Sequence, residues 1–140
     1  RAQPQRLHGR AALARGAPEP RIEIVPFASE PAPQFLASLD CFLYRAHPHW
    51  YETGGNAVSE AMAMQLPVIV VGDQVGFAEL IEHGVNGFRV ATEDETMTII
   101  SQLAASADLR VSIGQRARET MVQLAADQTQ RTLSFYRDRA

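Results

Sequence analysis

Lysine is absent from this 140-residue chain: all 13 basic residues are arginine. Genomic base composition is the simplest account of that bias. Only one cysteine is present, Cys41, which excludes an internal disulfide and fits a reducing cytoplasm. Its neighbours Phe42 and Leu43 make it a core residue rather than a nucleophile. No apolar run approaches the roughly 18 residues that a membrane-crossing helix needs. There is no surplus of positive charge either. The formal net charge of −3 argues against a general nucleic-acid binder. What remains is the composition of an ordinary globule, 46% hydrophobic, and a length at which about two-thirds of the unfolded surface is buried. The first residue is Arg rather than Met, so the chain is expected to be part of something longer.

The most informative stretch is Gly54-Gly55-Asn56, set between Glu52 and Glu60 at the start of an expected helix. A helix N-terminus carries roughly half a positive charge and unpaired N–H donors, so it seats phosphate. Glycines there let a ligand approach the backbone, because no Cβ stands in the way. They also suit a tight turn, and the two readings are compatible. A carboxylate on each side of a bound phosphate accepts hydrogen bonds from hydroxyl groups. Phosphate flanked by hydroxyls describes a nucleotide sugar.

Along the chain, residues 3–15 are helix-compatible and carry Arg6, Arg10 and Arg15, before Gly16-Ala17-Pro18-Glu19-Pro20 breaks the pattern. Ile22 to Val25 reads as a strand ending at Pro26, and Pro33 to Leu39 as a short helix. Cys41 to Tyr44 is an apolar run typical of a parallel strand buried on both faces. The loop from Arg45 to Gly55 is long for its kind and therefore a functional candidate. A helix is predicted over Asn56–Gln65, with Val58, Ala61, Met62 and Leu66 as its apolar stripe and Glu60 off the core face. Pro67 to Val71 is the next buried strand. Phe77 to Glu82 is read as helical, closed by His83-Gly84, with His83 complementing the helix dipole and Gly84 as a left-handed cap. Asn86-Gly87 turns the chain into Phe88-Arg89-Val90, and Thr92 with Glu95 has capping-box spacing for a helix to Ala107. A further helix spans Leu109–Ala125, with Ile113, Ala117, Met121 and Leu124 on one face. Asp127 and Gln130 repeat the capping pattern before a terminal helix through Tyr136.

These elements divide the chain into a helix and linker (1–20), an α/β core (21–126) and a terminal helix (127–140). Strands alternating with helices imply a Rossmann-like parallel sheet flanked by helices. Ligands of such sheets bind beyond the carboxyl ends of the strands. That edge gathers Ala28-Ser29-Glu30, the Arg45–Gly55 loop and Gly72–Phe77. Arg45, at a strand end, suits either phosphate contact or an ordinary surface role. Glu79 suits either a helix start or ligand contact. His47 and His49, with no cysteine nearby, make a poor zinc site, so no metal is expected.

The run Tyr51-Glu52-Thr53-Gly54-Gly55-Asn56-Ala57-Val58-Ser59-Glu60-Ala61-Met62-Ala63, continued by Leu66-Pro67-Val68, resembles the donor-site motif of retaining GT-B glycosyltransferases of family 4, the glycosyl transferases group 1. Glu79-Leu80-Ile81 and Gly84-Val85-Asn86-Gly87-Phe88 match as well, and the resemblance covers residues 21 to 126. It implies the carboxy-terminal half of a GT-B fold lacking its first strands, and transfer of a sugar from a nucleoside diphosphate to an acceptor hydroxyl with retention of configuration. By resemblance Glu60 holds the ribose hydroxyls, and Glu52 contacts the transferred sugar as the catalytic-site carboxylate. Thr53, Gly54, Gly55 and Asn56 line the donor, and the Arg and Lys that clasp the diphosphate in the family normally come from the first strands, upstream of this chain. Two departures stand out. The family's Gly-Phe-Gly is Thr53-Gly54-Gly55 here, and the lysine usual near the diphosphate has no counterpart. The resemblance implies no metal and no cofactor beyond the nucleotide sugar, and an acceptor (glycan, lipid or small molecule) bound by an amino-terminal domain outside this chain. The chain alone is accordingly expected to be inactive. A cytoplasmic location follows by analogy, with contact between the arginines of residues 3–15 and an anionic membrane as the minority reading. Two alternatives stay open: a non-catalytic module binding a nucleotide or protein, and a sugar-nucleotide epimerase.

Overall fold

The computed structural model describes residues 25, 26, 28–45, 56–72 and 78–137. The expected first helix, and residues 21–24 of the strand expected before Pro26, lie outside them. By internal packing the chain divides into residues 1–35 and 36–140. Within the first, the described residues hold a turn closed by Ser29 N–H on the Pro26 carbonyl at 3.2 Å. The short helix α1, Ala32–Ala37, begins one residue after Pro31, close to the expected span.

The larger unit is built on three parallel strands, β1 (Phe42–Arg45), β2 (Val68–Val71) and β3 (Phe88–Val90), in that order across the sheet. Leu43, Ile69 and Phe88 share one row, and Arg45, Val71 and Val90 another. Parallel pairing requires a crossover, supplied between β1 and β2 by helix α2, Asn56–Ala63. β2 is central and β-branched throughout, Val-Ile-Val-Val, with its first three residues buried.

β1 departs from expectation. Its residues alternate between half-buried and exposed, and Leu43 is 47% exposed. Among the described residues β1 is the outer strand beside β2. Helix α3, Glu93–Ala105, sends Ile99 and Leu103 onto Ile69, Phe88 and Val90 instead. Cys41, half-buried, packs against that cluster. Burial, with the Asp40 charge adding and Arg110 opposing, pushes its thiol pKa up. That is the behaviour of a core cysteine rather than a nucleophile.

Helix α2 buries Val58, Ala61 and Met62, as its periodicity predicts. It ends with Leu66 N–H on the Ala61 carbonyl and Gln65 N–H on the Met62 carbonyl, with Gln65 in the left-handed region at φ 62°. This is the Schellman pattern, followed by Pro67.

Thr92 caps α3 through the capping box its spacing announced. After Ser106 the chain enters α4, Ala107–Arg137, unbroken over 31 residues. The break expected before Asp127 does not occur. Asp127 instead accepts a hydrogen bond from Gln123 Nε2 at 2.8 Å, one turn back. No Gly or Pro follows Gly114 in this helix, so the Asp127–Gln130 cap signal competes with uninterrupted propagation and loses. The segment read as a helix from Phe77 is a single 3-10 turn, Ala78–Leu80. Gly84, at φ 77°, therefore serves the turn into β3 rather than a helix end, its N–H bonded to the Gly87 carbonyl at 2.8 Å. Among the described residues no helix is long and apolar enough to cross a membrane.

Candidate functional site at the carboxyl edge of the sheet

Because β1 and β2 run parallel, the connecting helix α2 must return antiparallel to them, which sets its N-terminus at the carboxyl edge. Asn56 opens that helix and Glu60 follows four residues later, so both lie on one face. Both are exposed, while Val58, Ala61 and Met62 fill the opposite face. The first turn of α2 contains no acidic residue, so none of its own carboxylates neutralises the helix dipole there. The contrast with α3 is informative. Its first turn carries Glu93, Asp94 and Glu95, and Glu95 folds back over the end. Glu95 closes the end of α3, whereas the first turn of α2 keeps its dipole free of acidic side chains, the state that favours an anion there.

Arg45 ends β1 at the same edge, and its Nη1 lies 3.3 Å from Glu93 Oε1 across the sheet. That pairing is not legible in the sequence, because the partners are 48 residues apart. Strand register alone joins them: Arg45, Val71 and Val90 align, and α3 begins three residues beyond Val90. Glu52, Thr53, Gly54 and Gly55, like His47, His49, Trp50 and Asp73, lie outside the described residues. Of the site residues expected from sequence, the structure places Arg45, Asn56 and Glu60. Glu79 is exposed in the first turn of the 3-10 segment. Among the described residues no three His, Cys, Asp or Glu gather as a metal site.

On the β3 side an open cleft of about 360 Å³ is lined by Ile81, His83, Arg89, Val90, Ala91 and Glu95. It shares no lining residue with α2 or β1. His83 Nδ1 sits 2.8 Å from the Arg89 carbonyl oxygen and 3.3 Å from the Arg89 amide nitrogen, and its ring stands edge-on to Phe88. The residue expected to complement a helix dipole thus ties the turn to β3 instead.

Glu95 accepts the Ala91 N–H at 2.7 Å and the Thr92 N–H at 3.2 Å. Chiefly through the first, its pKa is held below the ordinary 4.5. A depressed carboxylate stabilises the fold in full above its unfolded pKa and loses that contribution as pH falls through the lower folded value. Stability measured by urea unfolding should therefore carry an acid-dependent part below pH 4.5 that Glu95→Gln removes. A pH dependence in the variant matching wild type would count against this cap.

A family model described as glycosyl transferases group 1 matches residues 2–106. No curated protein matches the chain. Among solved structures it is similar to Anabaena Alr3699/HepE in complex with UDP-glucose, with a TM-score of 0.69 and 28% identity over 93% of this chain. The same Anabaena protein in complex with UDP and glucose gives 0.70 and 27% over 93% of this chain. In both cases the chain spans 36% of that protein's length. It is also similar in fold to the C-terminal domain of LpcC, a glycosyl transferase group 1 family protein from Francisella tularensis. There the TM-score is 0.61 at 20% identity, over 84% of this chain and 60% of that one.

Proposed function

We propose, from the premise that this chain belongs to the glycosyl transferases group 1 family, that it binds the nucleotide-sugar donor of a retaining glycosyltransferase of family 4. Its parallel three-stranded sheet with flanking helices is that of a GT-B carboxy-terminal domain. One observation carries the reading: the acid-free N-terminus of α2 stands at the carboxyl edge with Asn56 and Glu60 on its exposed face.

In this proposal the backbone amides from Thr53 to Asn56 and the Arg45 guanidinium receive the donor diphosphate. Glu60 accepts hydrogen bonds from the ribose hydroxyls, and Glu52 from hydroxyls of the transferred sugar. The acceptor oxygen attacks the anomeric carbon from the face the diphosphate leaves. The bond from that carbon to the phosphate oxygen breaks, and the acceptor's proton passes to the departing diphosphate. Negative charge accumulates on the leaving group, which is where preorganised amides and a guanidinium lower the barrier. The proposal assigns that charge to these groups and to no metal. The acceptor is held by protein outside this chain, so the chain alone is inactive.

A UDP-sugar is the donor favoured here, because the Anabaena relative is described with UDP-glucose. Calorimetric titration of the full-length protein with UDP-, GDP- and ADP-glucose tests this. Saturable binding of UDP-glucose is expected, weakened about tenfold or more by Glu60→Ala through loss of charge-assisted hydrogen bonds. Unchanged affinity in the variant would remove Glu60 from the site, and no binding of any donor would overturn the reading.

A further inference from the structure

We propose that Glu93 is the resting partner of Arg45, displaced by the donor diphosphate, and that it thereby sets the strength and salt dependence of donor binding. This rests on the reading of Arg45 as a diphosphate contact.

Three features of the pair support exchange. The contact is a single one, Nη1 to Oε1 at 3.3 Å, longer than the 2.7–2.9 Å usual for a charge-assisted bond. Both side chains are mostly exposed, 65% for Arg45 and 84% for Glu93, and exposed pairs of this kind hold weakly. The guanidinium presents a fork that a phosphate group engages through two oxygens, with more negative charge than one carboxylate offers. A diphosphate arriving at the carboxyl edge is therefore the stronger partner.

Glu93 is also well placed to be left behind. It occupies the first turn of α3, where the helix dipole favours a negative charge whether or not Arg45 is present. The capping duty belongs to Thr92 and Glu95, so Glu93 does not close the helix end. Its removal leaves the local fold intact and takes away a competitor for Arg45. Until the donor arrives, the pair keeps the guanidinium at the carboxyl edge.

The test is calorimetric titration of the full-length protein with UDP-glucose at low and high ionic strength, using Glu93→Gln, Arg45→Ala and the double variant. Glu93→Gln is expected to tighten binding about two- to fourfold at low salt. The gain should shrink above roughly 0.5 M salt, where the Debye length falls toward 3 Å, and vanish in the Arg45→Ala background. A purely structural role would not raise affinity. Unchanged or weaker binding by Glu93→Gln, while Arg45→Ala weakens it, would overturn the exchange and leave the donor site standing. If Arg45→Ala has no effect although Glu60→Ala does, Arg45 is not a diphosphate contact and the exchange falls with it.

Discussion

Replacing Gly114 with alanine is expected to destabilise the protein by about 3 kcal/mol, although the same change in an ordinary helix interior stabilises by up to about 1 kcal/mol. Gly114 lies within α4, where the helix crosses the end of α2. A Cβ at that position would sit on the backbone carbonyl oxygen of Gln65. Neither side yields easily. Gln65 is fixed in the left-handed region by the Schellman bonds, and Ile113 and Ala117 hold α4 in the core. The helix pair must separate, which also loosens Val58 and Met62 from their packing. For a domain of this size such a loss lowers Tm by roughly 10 °C. Thermal and urea unfolding of Gly114→Ala decide the matter: an unchanged or higher Tm would mean that α2 and α4 do not approach so closely. Because α2 carries Asn56 and Glu60, weaker donor binding should accompany the loss.

Asn86→Ala is expected to cost a similar amount, about 3 kcal/mol, for a different reason. Asn86 is 6% exposed. Its Oδ1 accepts the Glu82 N–H at 2.8 Å, while Nδ2 donates to the Leu80 carbonyl and to Thr120 Oγ1, both at 2.9 Å. A carbonyl can only accept and an N–H can only donate, so the amide has one orientation that satisfies both. The Thr120 hydroxyl in turn donates a hydrogen bond to the Arg116 carbonyl at 3.0 Å. Alanine would leave an amide, a carbonyl and a hydroxyl without this partner, at about 1 kcal/mol or more each. Asn86→Asp should be at least as damaging, since a carboxylate would face the Leu80 carbonyl. Combining Asn86→Ala with Thr120→Val in a double-mutant cycle should show clearly sub-additive losses. Strict additivity would mean the bond across to α4 contributes nothing.

Asn86 also shows how sequence reading falls short. Asn-Gly before an apolar strand reads as a turn, and the chain does turn there. Nothing local says that the side chain points inward to clamp the preceding segment onto Thr120 of α4, 34 residues further on. The same limit applies to Arg45, whose strand-end position was legible and whose partner was not. It applies to β1 as well, since an apolar run cannot disclose whether its strand is covered on both faces.

By itself the sequence determined whatever depends on neighbours a few residues away: the parallel α/β pattern, the apolar stripe of α2 and the Thr92–Glu95 cap. Those signals are local because helix periodicity, strand alternation and capping bonds span less than about two turns. Tertiary structure decided the rest. It made α4 continuous past Asp127, seated Gln65 on Gly114, turned Asn86 inward and paired Arg45 with Glu93. Each of these depends on strand register and helix crossing, which join residues far apart in the chain and leave no periodic trace along it.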